Sequence, residues 1–356
     1  MKKAKNFLIV FLVVMLALFI VAAAEANDEK DLFELYRENF INVRFEEEVT
    51  QNGFSLIETQ VFTINHGKMG KLKILPAIYQ ELNRLALFFA AEDGSIVFKT
   101  DDFLSNSWLK GRARQMNRDL ICLSFIDLNG DGLDDIIIIS ACYNESGIYA
   151  DKKYQVADVL FQSEEGFYRD PRISDKLNRF DMNKTDLAVV AFVRDGISLE
   201  FLFTAKNLAE LLAHGFKPIS SQCYTEHFEK FGMVEIIPGF FNLAGQNYLM
   251  VYITDADGRI LWNFQPMHYY VNFYAISAIS FKDIDGDGNK DLLLIGRYVT
   301  YDEDGLVVIK KDYDIYYQRA GYFLEDIRFK QSYSCGEDDD IELIVSKARQ
   351  YWGWPQ

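Results

Sequence analysis

The chain has 356 residues, 49% hydrophobic and 15% aromatic, with a formal net charge of −16. That much apolar content can bury a large core and excludes a low-complexity or disordered chain. The acidic excess disfavours nucleic acid and anionic membrane surfaces as partners.

Residues 1–26 open Met-Lys-Lys-Ala-Lys, run apolar from Phe7 to Ala24 and end on Ala24-Glu-Ala26. A basic, then apolar, then small-residue order predicts a secretory signal peptide. An uncleaved signal anchor is the rival, because the apolar stretch approaches the ~20 residues that span a bilayer. Either reading exports the rest of the chain to periplasm, cell surface or medium, with no other membrane contact, since the lysines favour a cytoplasmic N-terminus. Residues 27–50 are expected to form an N-terminal helical segment. Apolar groups at 32, 33, 35, 36, 39 and 40 behind an acidic first turn predict an amphipathic helix over 28–42.

From 51 to 356 the chain reads mainly as short strands. Leu85–Phe98 predicts a hairpin turning at Asp93-Gly94, and Leu249–Trp262 a matching one turning at Asp257-Gly258. The runs Asp186–Val193 and Asp340–Val345 are expected to be equivalent strands. One inserted helix fits Ala205–His214, stopped by Gly215. Asp255-Ala-Asp257 and Asp338-Asp-Asp340 lack any alternate-residue glycine pattern and read as charged turns.

Two nine-residue loops dominate the sequence, Asp127-Leu-Asn-Gly-Asp-Gly-Leu-Asp-Asp135 and Asp283-Ile-Asp-Gly-Asp-Gly-Asn-Lys-Asp291. Each sets oxygen-bearing side chains at positions 1, 3, 5 and 9 around glycines at 4 and 6. A hard cation such as Ca²⁺ takes six or more oxygens, and glycine reaches the φ > 0 conformations that wrapping one ion requires. Position 12 is Ile138 or Leu294, so neither loop is an EF-hand. The flanking apolar, β-branched runs place each loop at the tip of a β-hairpin. The second loop, with four carboxylates against three and an amide, is expected to hold its cation more tightly.

Both loops belong to a duplication. Residues 120–170 and 276–326 align without a gap at an offset of 156, pairing Phe125 with Phe281, Asp158 with Asp314, Gln162 with Gln318, Phe167 with Phe323 and Asp170 with Asp326. Pro76 and Pro238 open the two units, about 70–170 and 232–326. Such self-similarity in short-stranded units points to propellers or solenoids, with about two four-stranded blades per unit.

The order strand, Asp-x-(Asp/Asn)-Gly-Asp-Gly-x-x-Asp, strand resembles the FG-GAP or VCBS repeat, best known from the β-propeller of integrin α-subunits and common in exported bacterial proteins. The close match covers about 30 residues around each loop. The resemblance implies an all-β fold with minor α content: a β-propeller-like array of short antiparallel blades with calcium-loop hairpins, plus the N-terminal and the inserted helix. It also implies two Ca²⁺ sites. One would use Asp127, Asn129, Asp131, the Leu133 carbonyl and Asp135; the other would use Asp283, Asp285, Asp287, the Asn289 carbonyl and Asp291. Integrin-type propellers often carry three or four such loops, and this chain has two. A binding, adhesion or scaffold module for a protein or glycan is the expected function; the alternatives are a carbohydrate-active or hydrolytic enzyme, or a lectin, built on a propeller.

No nucleophile elbow, zinc motif, phosphate loop or dinucleotide fingerprint occurs, so no catalytic residue is assigned. His66, His214, His227 and His268 have no metal spacing. Trp262, His268-Tyr-Tyr270 and Tyr351-Trp-Gly-Trp354 suit either sugar stacking or core packing. Cys122 and Cys142 flank the first loop, leaving a disulfide across its hairpin and two buried thiols both open; Cys223 and Cys335 suggest no pairing.

Overall fold

The computed structural model describes residues 30–107, 115–145, 153–270, 272–302 and 306–355. The expected leader at 1–26 lies outside them, as do residues 28 and 29 of the predicted N-terminal helix. The chain divides into two compact units between Pro171 and Arg172.

The first unit begins with α1 (30–42) and α2 (Glu48–Gln51). Then come β1 (Phe54–Leu56), β2 (Phe62–His66), β3 (Gly70–Tyr79), β4 (Arg84–Ala90) and β5 (Ile96–Thr100). A second set follows: β6 (Gln115–Ile126), β7 (Asp135–Asn144), β8 (Tyr154–Ser163) and β9 (Gly166–Arg169). After α3 (Pro171–Arg179) at the division, the second unit continues with α4 (Asp186–Val193), α5 (Glu200–Thr204) and α6 (Leu208–Ala213). Its strands are β10 (Lys217–Pro218), β11 (Tyr224–Phe228), β12 (Gly232–Leu243), β13 (Gln246–Thr254) and β14 (Ile260–Phe264). A further set is β15 (Asn272–Lys282), β16 (Asp291–Tyr301), β17 (Val307–Arg319) and β18 (Tyr322–Glu325), closed by α7 (Ile327–Ser332) and α8 (Ile341–Trp352).

Each unit holds two antiparallel sheets. They run β1-β3-β4-β5, with β2 also on β3, and β6-β7-β8-β9; the second unit repeats this as β10-β12-β13-β14, with β11 on β12, and β15-β16-β17-β18. No closed barrel forms among the described residues. Pro76 and Pro238 sit where this topology tolerates them. On β3, β2 pairs as far as Ile74 and β1 takes over from Ala77, so the missing N–H of Pro76 falls in the gap. Pro238 lies between the β11 pairing that ends at Ile236 and the β10 pairing that starts at Gly239.

Alternation along the strands explains the unbroken apolar runs. Leu85, Leu87 and Phe89 of β4 join Ile136 and Ile138 of β7 in a core shared by both sheets. The intervening Ala86 and Phe88 face the other way, against Tyr36 of α1. In the second unit Leu292 and Leu294 face the shared core, and Leu293 and Ile295 pack under Phe329, Ile344 and Ala348 of α7 and α8. A sheet covered on both faces shows no polar stripe.

The duplication is longer than the sequence alone indicates. Phe45 bridges Ser95 and Asn207 bridges Arg259, two equivalent contacts upstream of the aligned hairpins. Both copies carry the same two irregularities: β6 shifts register at Asn117/Asp119 and Leu120/Cys122, and β15 at Phe273/Ala275 and Ile276/Ala278.

Two expectations need correction. The runs at 186–193 and 340–345 are equivalent elements, but both are helical, α4 and the first part of α8. Thr185 caps α4 by accepting from Ala188 N at 3.2 Å, and Asp340 caps α8 by accepting from Leu343 N at 2.9 Å. Asp338-Asp-Asp340 is therefore a helix entry as well as a charged turn. Secondly, the second unit contains several helices where one inserted helix was expected; that one is present as α6, capped by Asn207. Of the two alternatives open for Cys122 and Cys142, the structure shows the unlinked one: no disulfide joins them, and they do not face each other. The bulges in β6 set Cys122 opposite Ile139 and Cys142 opposite Asn117, to whose Oδ1 the Cys142 thiol donates at 3.4 Å.

Candidate metal-binding loops

Both acidic loops cap hairpins, β6–β7 and β15–β16. In each, the first aspartate is the hub. Asp127 accepts from the N–H groups of Gly130 at 2.7 Å and Gly132 at 2.8 Å; Asp283 accepts from Gly286 at 2.7 Å and Gly288 at 2.9 Å. All four glycines have φ between 79° and 84°, which turns their amides inward and which a side chain would resist. The Gly132 N–H, aided by other loop amides, holds the Asp127 carboxyl below the usual carboxylate range despite some desolvation.

The fifth-position acids brace the residue two places on. Asp131 accepts from Leu133 N and Asp287 from Asn289 N, both at 2.8 Å. Asn129 donates to Asp131 at 3.0 Å, and Asn289 turns its amide group back on Asp287. Ligand oxygens of Asp283, Asp285 and Asp287 lie within 4.8 Å of one another. The first loop, with Asn129 at position 3, forms no comparable triad of acids among the described residues.

The ninth-position acids are locked from beneath. Asp135 and Asp291 are both 0% exposed. Asp135 accepts from Leu128 N and Gln162 N, each at 2.9 Å; Asp291 accepts from Ile284 N at 2.8 Å and Gln318 N at 2.9 Å. Desolvation pushes both carboxyls up against the pull of these amides, Asp291 to about 7. The Asp285 charge adds to the rise at Asp291.

Several partners of the loops went unrecognised in the sequence. Gln162 donates to the Asp134 carbonyl at 3.0 Å and accepts from Gly67 N at 2.8 Å. Gln318 does the same between the Lys290 carbonyl and Lys230 N, at 2.7 and 2.6 Å. Their exact match across the repeat was the available signal. Arg319 donates to Asp285 at 2.7 Å and to Asp287 at 3.3 Å. From α8, Arg349 reaches the carbonyls of Asp283 and Ile284 at 2.9 and 3.1 Å. Lys290 points away, donating to Glu226 at 2.6 Å.

The remaining candidates have structural partners. His66 is buried, accepts from Lys68 N and Met69 N, and packs edge-on against Phe167. His214 lies 2.8 Å from the Glu210 carbonyl and stacks on Phe201. Trp262 packs against the core of the second unit. Trp352 donates to Asp326 at 2.8 Å and stacks on Trp354, which meets Tyr317 edge-on. Asp255 forms the expected turn, accepting from Asp257 N and Arg259 N.

No family model matches the chain, and no curated protein matches it. The crystal structure of exotype rhamnogalacturonan lyase YesX is similar to it over 76% of this chain, at 12% identity and a TM-score of 0.22. This chain spans about half the length of that protein, 48%. At that score the likeness says nothing of fold or activity.

Proposed function

We propose that this chain is an exported protein of the FG-GAP/VCBS kind. Its four sheets serve as propeller blades, Ca²⁺ stabilises two hairpin tips, and the whole acts as a binding, adhesion or scaffold module for a protein or glycan. The observation that carries this reading is the oxygen cluster of Asp283, Asp285 and Asp287 on a glycine-wrapped hairpin loop whose design recurs at Asp127–Asp135. The donors are all oxygens, the set a hard cation selects over zinc or copper. Asp127, Asn129, Asp131, Asp135 and the Leu133 carbonyl would hold one ion; Asp283, Asp285, Asp287, Asp291 and the Asn289 carbonyl would hold the other. A bound ion supplies charge neutralisation at each tip, and the chain's own amides already hold the acids converged.

Calorimetric titration of the EDTA-stripped full chain with CaCl2 is expected to show two sites and a raised Tm. No uptake and no change in Tm would overturn the calcium reading. For the module itself, a glycan array and a panel of generic hydrolase substrates discriminate: ligand capture without turnover is expected. Turnover abolished by His268→Ala or Glu235→Ala, with calcium uptake intact, would establish an enzyme instead.

A further inference from the structure

Beyond their own side chains, the two loops differ in a charge supplied from a neighbouring strand. Arg319 ends β17 beside the second loop, its guanidinium 2.7 Å from Asp285 Oδ2 and 3.3 Å from Asp287 Oδ2. Those are two of the three clustered acids. The arginine is fixed from behind as well: it donates to the Gln318 carbonyl at 2.6 Å and lies over the Tyr317 ring, 5.5 Å from its centroid. Its side chain is only 29% exposed. At the same offset of 156 the first repeat has Ser163, whose hydroxyl is turned to the Gly166 carbonyl at 3.1 Å. Among the described residues no Lys or Arg forms an ion pair with Asp127, Asp131, Asp134 or Asp135.

An arginine cannot shed its proton to make way for a metal ion. A divalent ion drawn to Asp285 and Asp287 must therefore displace the guanidinium or accept a positive charge within a few ångströms, and either costs affinity. We propose that Arg319 is a built-in counter-ion that competes with a divalent cation for the second loop, which makes the first loop the tighter site. This rests on the calcium reading above and reverses the order that a count of carboxylates alone gives. It also makes the second loop self-compensated: its acids stay converged when metal is scarce.

The test is calorimetric titration of the EDTA-stripped full chain with CaCl2, with Asp131→Ala and Asp287→Ala assigning the steps to the first and second loop. Wild type should show a tight step lost in D131A and a weak step lost in D287A. Arg319→Ser should tighten the weak step by about tenfold, and Ser163→Arg should weaken the tight step by a similar factor. Should R319S fail to fold by circular dichroism, Arg319→Gln keeps a polar N–H donor group without the charge and should tighten the step likewise. A tight step that D287A removes, or R319S and R319Q isotherms matching wild type, would overturn the proposal and leave calcium binding standing. No uptake by wild type, R319S or R319Q would sink the calcium reading and this inference with it.

Discussion

Gln318 donates its backbone N–H to the buried Asp291 at 2.9 Å, and Gln162 donates to Asp135 at the same distance one repeat earlier. The ninth residue of each loop is thus bonded to the third strand of its own sheet. It fixes the hairpin tip whether or not an ion is bound.

Removing that acceptor is expected to be costly without metal. Asp135→Ala strands the amides of Leu128 and Gln162 in a buried setting and should lower stability by about 3 kcal/mol. Asp134→Ala, at the neighbouring exposed position, should stay within about 0.5 kcal/mol of wild type. Urea unfolding in EDTA distinguishes the two.

Asp287→Ala tests the metal contribution. A ligand that binds only the folded state stabilises it by about 2.7 kcal/mol at a hundredfold excess over Kd. At such an excess over the second site, the substitution should lower Tm in calcium far more than in EDTA. Equal losses in both would assign the Asp287 carboxylate a purely structural part.

The metal-free protein should become less stable as pH rises through neutrality. The Asp291 carboxyl has a folded-state value of about 7, pushed up by desolvation, against an unfolded value near 3.9. Protonation is thus favoured in the folded state. The stability this contributes is complete below about pH 4 and disappears as pH passes 7. Between pH 5 and 7 the loss should be on the order of 1 kcal/mol per pH unit, reduced in Asp291→Asn, as read from urea midpoints in EDTA. Calcium requires the ionised form, so its uptake in the same window should release protons.

Thiol labelling of the folded chain should modify Cys223 first, since it is exposed, although desolvation and the nearby Glu235 raise its thiol somewhat. Burial holds the Cys142 thiol far above its usual range, so it should react only after unfolding. Peptide mapping after oxidative refolding should find no link between Cys122 and Cys142, because the bulged register sets them against different partners.

The loops, their hairpins and the repeat were legible because each rests on local chemistry: glycine at φ > 0, alternating oxygens and Asp-Gly turns. The helices α4 and α8 were not. In Leu187–Val193 the apolar residues run continuously, with Ala188, Val189, Val190 and Ala191 all buried, so no 3.6-residue stripe distinguishes helix from a covered strand. The caps at Thr185 and Asp340 were the overlooked signal. Arg319 and Arg349 were invisible for another reason. Each reaches a loop distant in sequence, and only the fold brings them there.

The strand order has a consequence for assembly in time. Among the described residues, no strand pairs with one more than two places away along the chain. A chain emerging N-terminus first can therefore finish each sheet before the next appears, with little entropy spent on closing long loops. The second acidic loop is the exception. Its carbonyls wait for Arg349, and Tyr317 of β17 waits for Trp354, residues that come after every described strand. The first tip is complete early, and the second only once the final helix has docked.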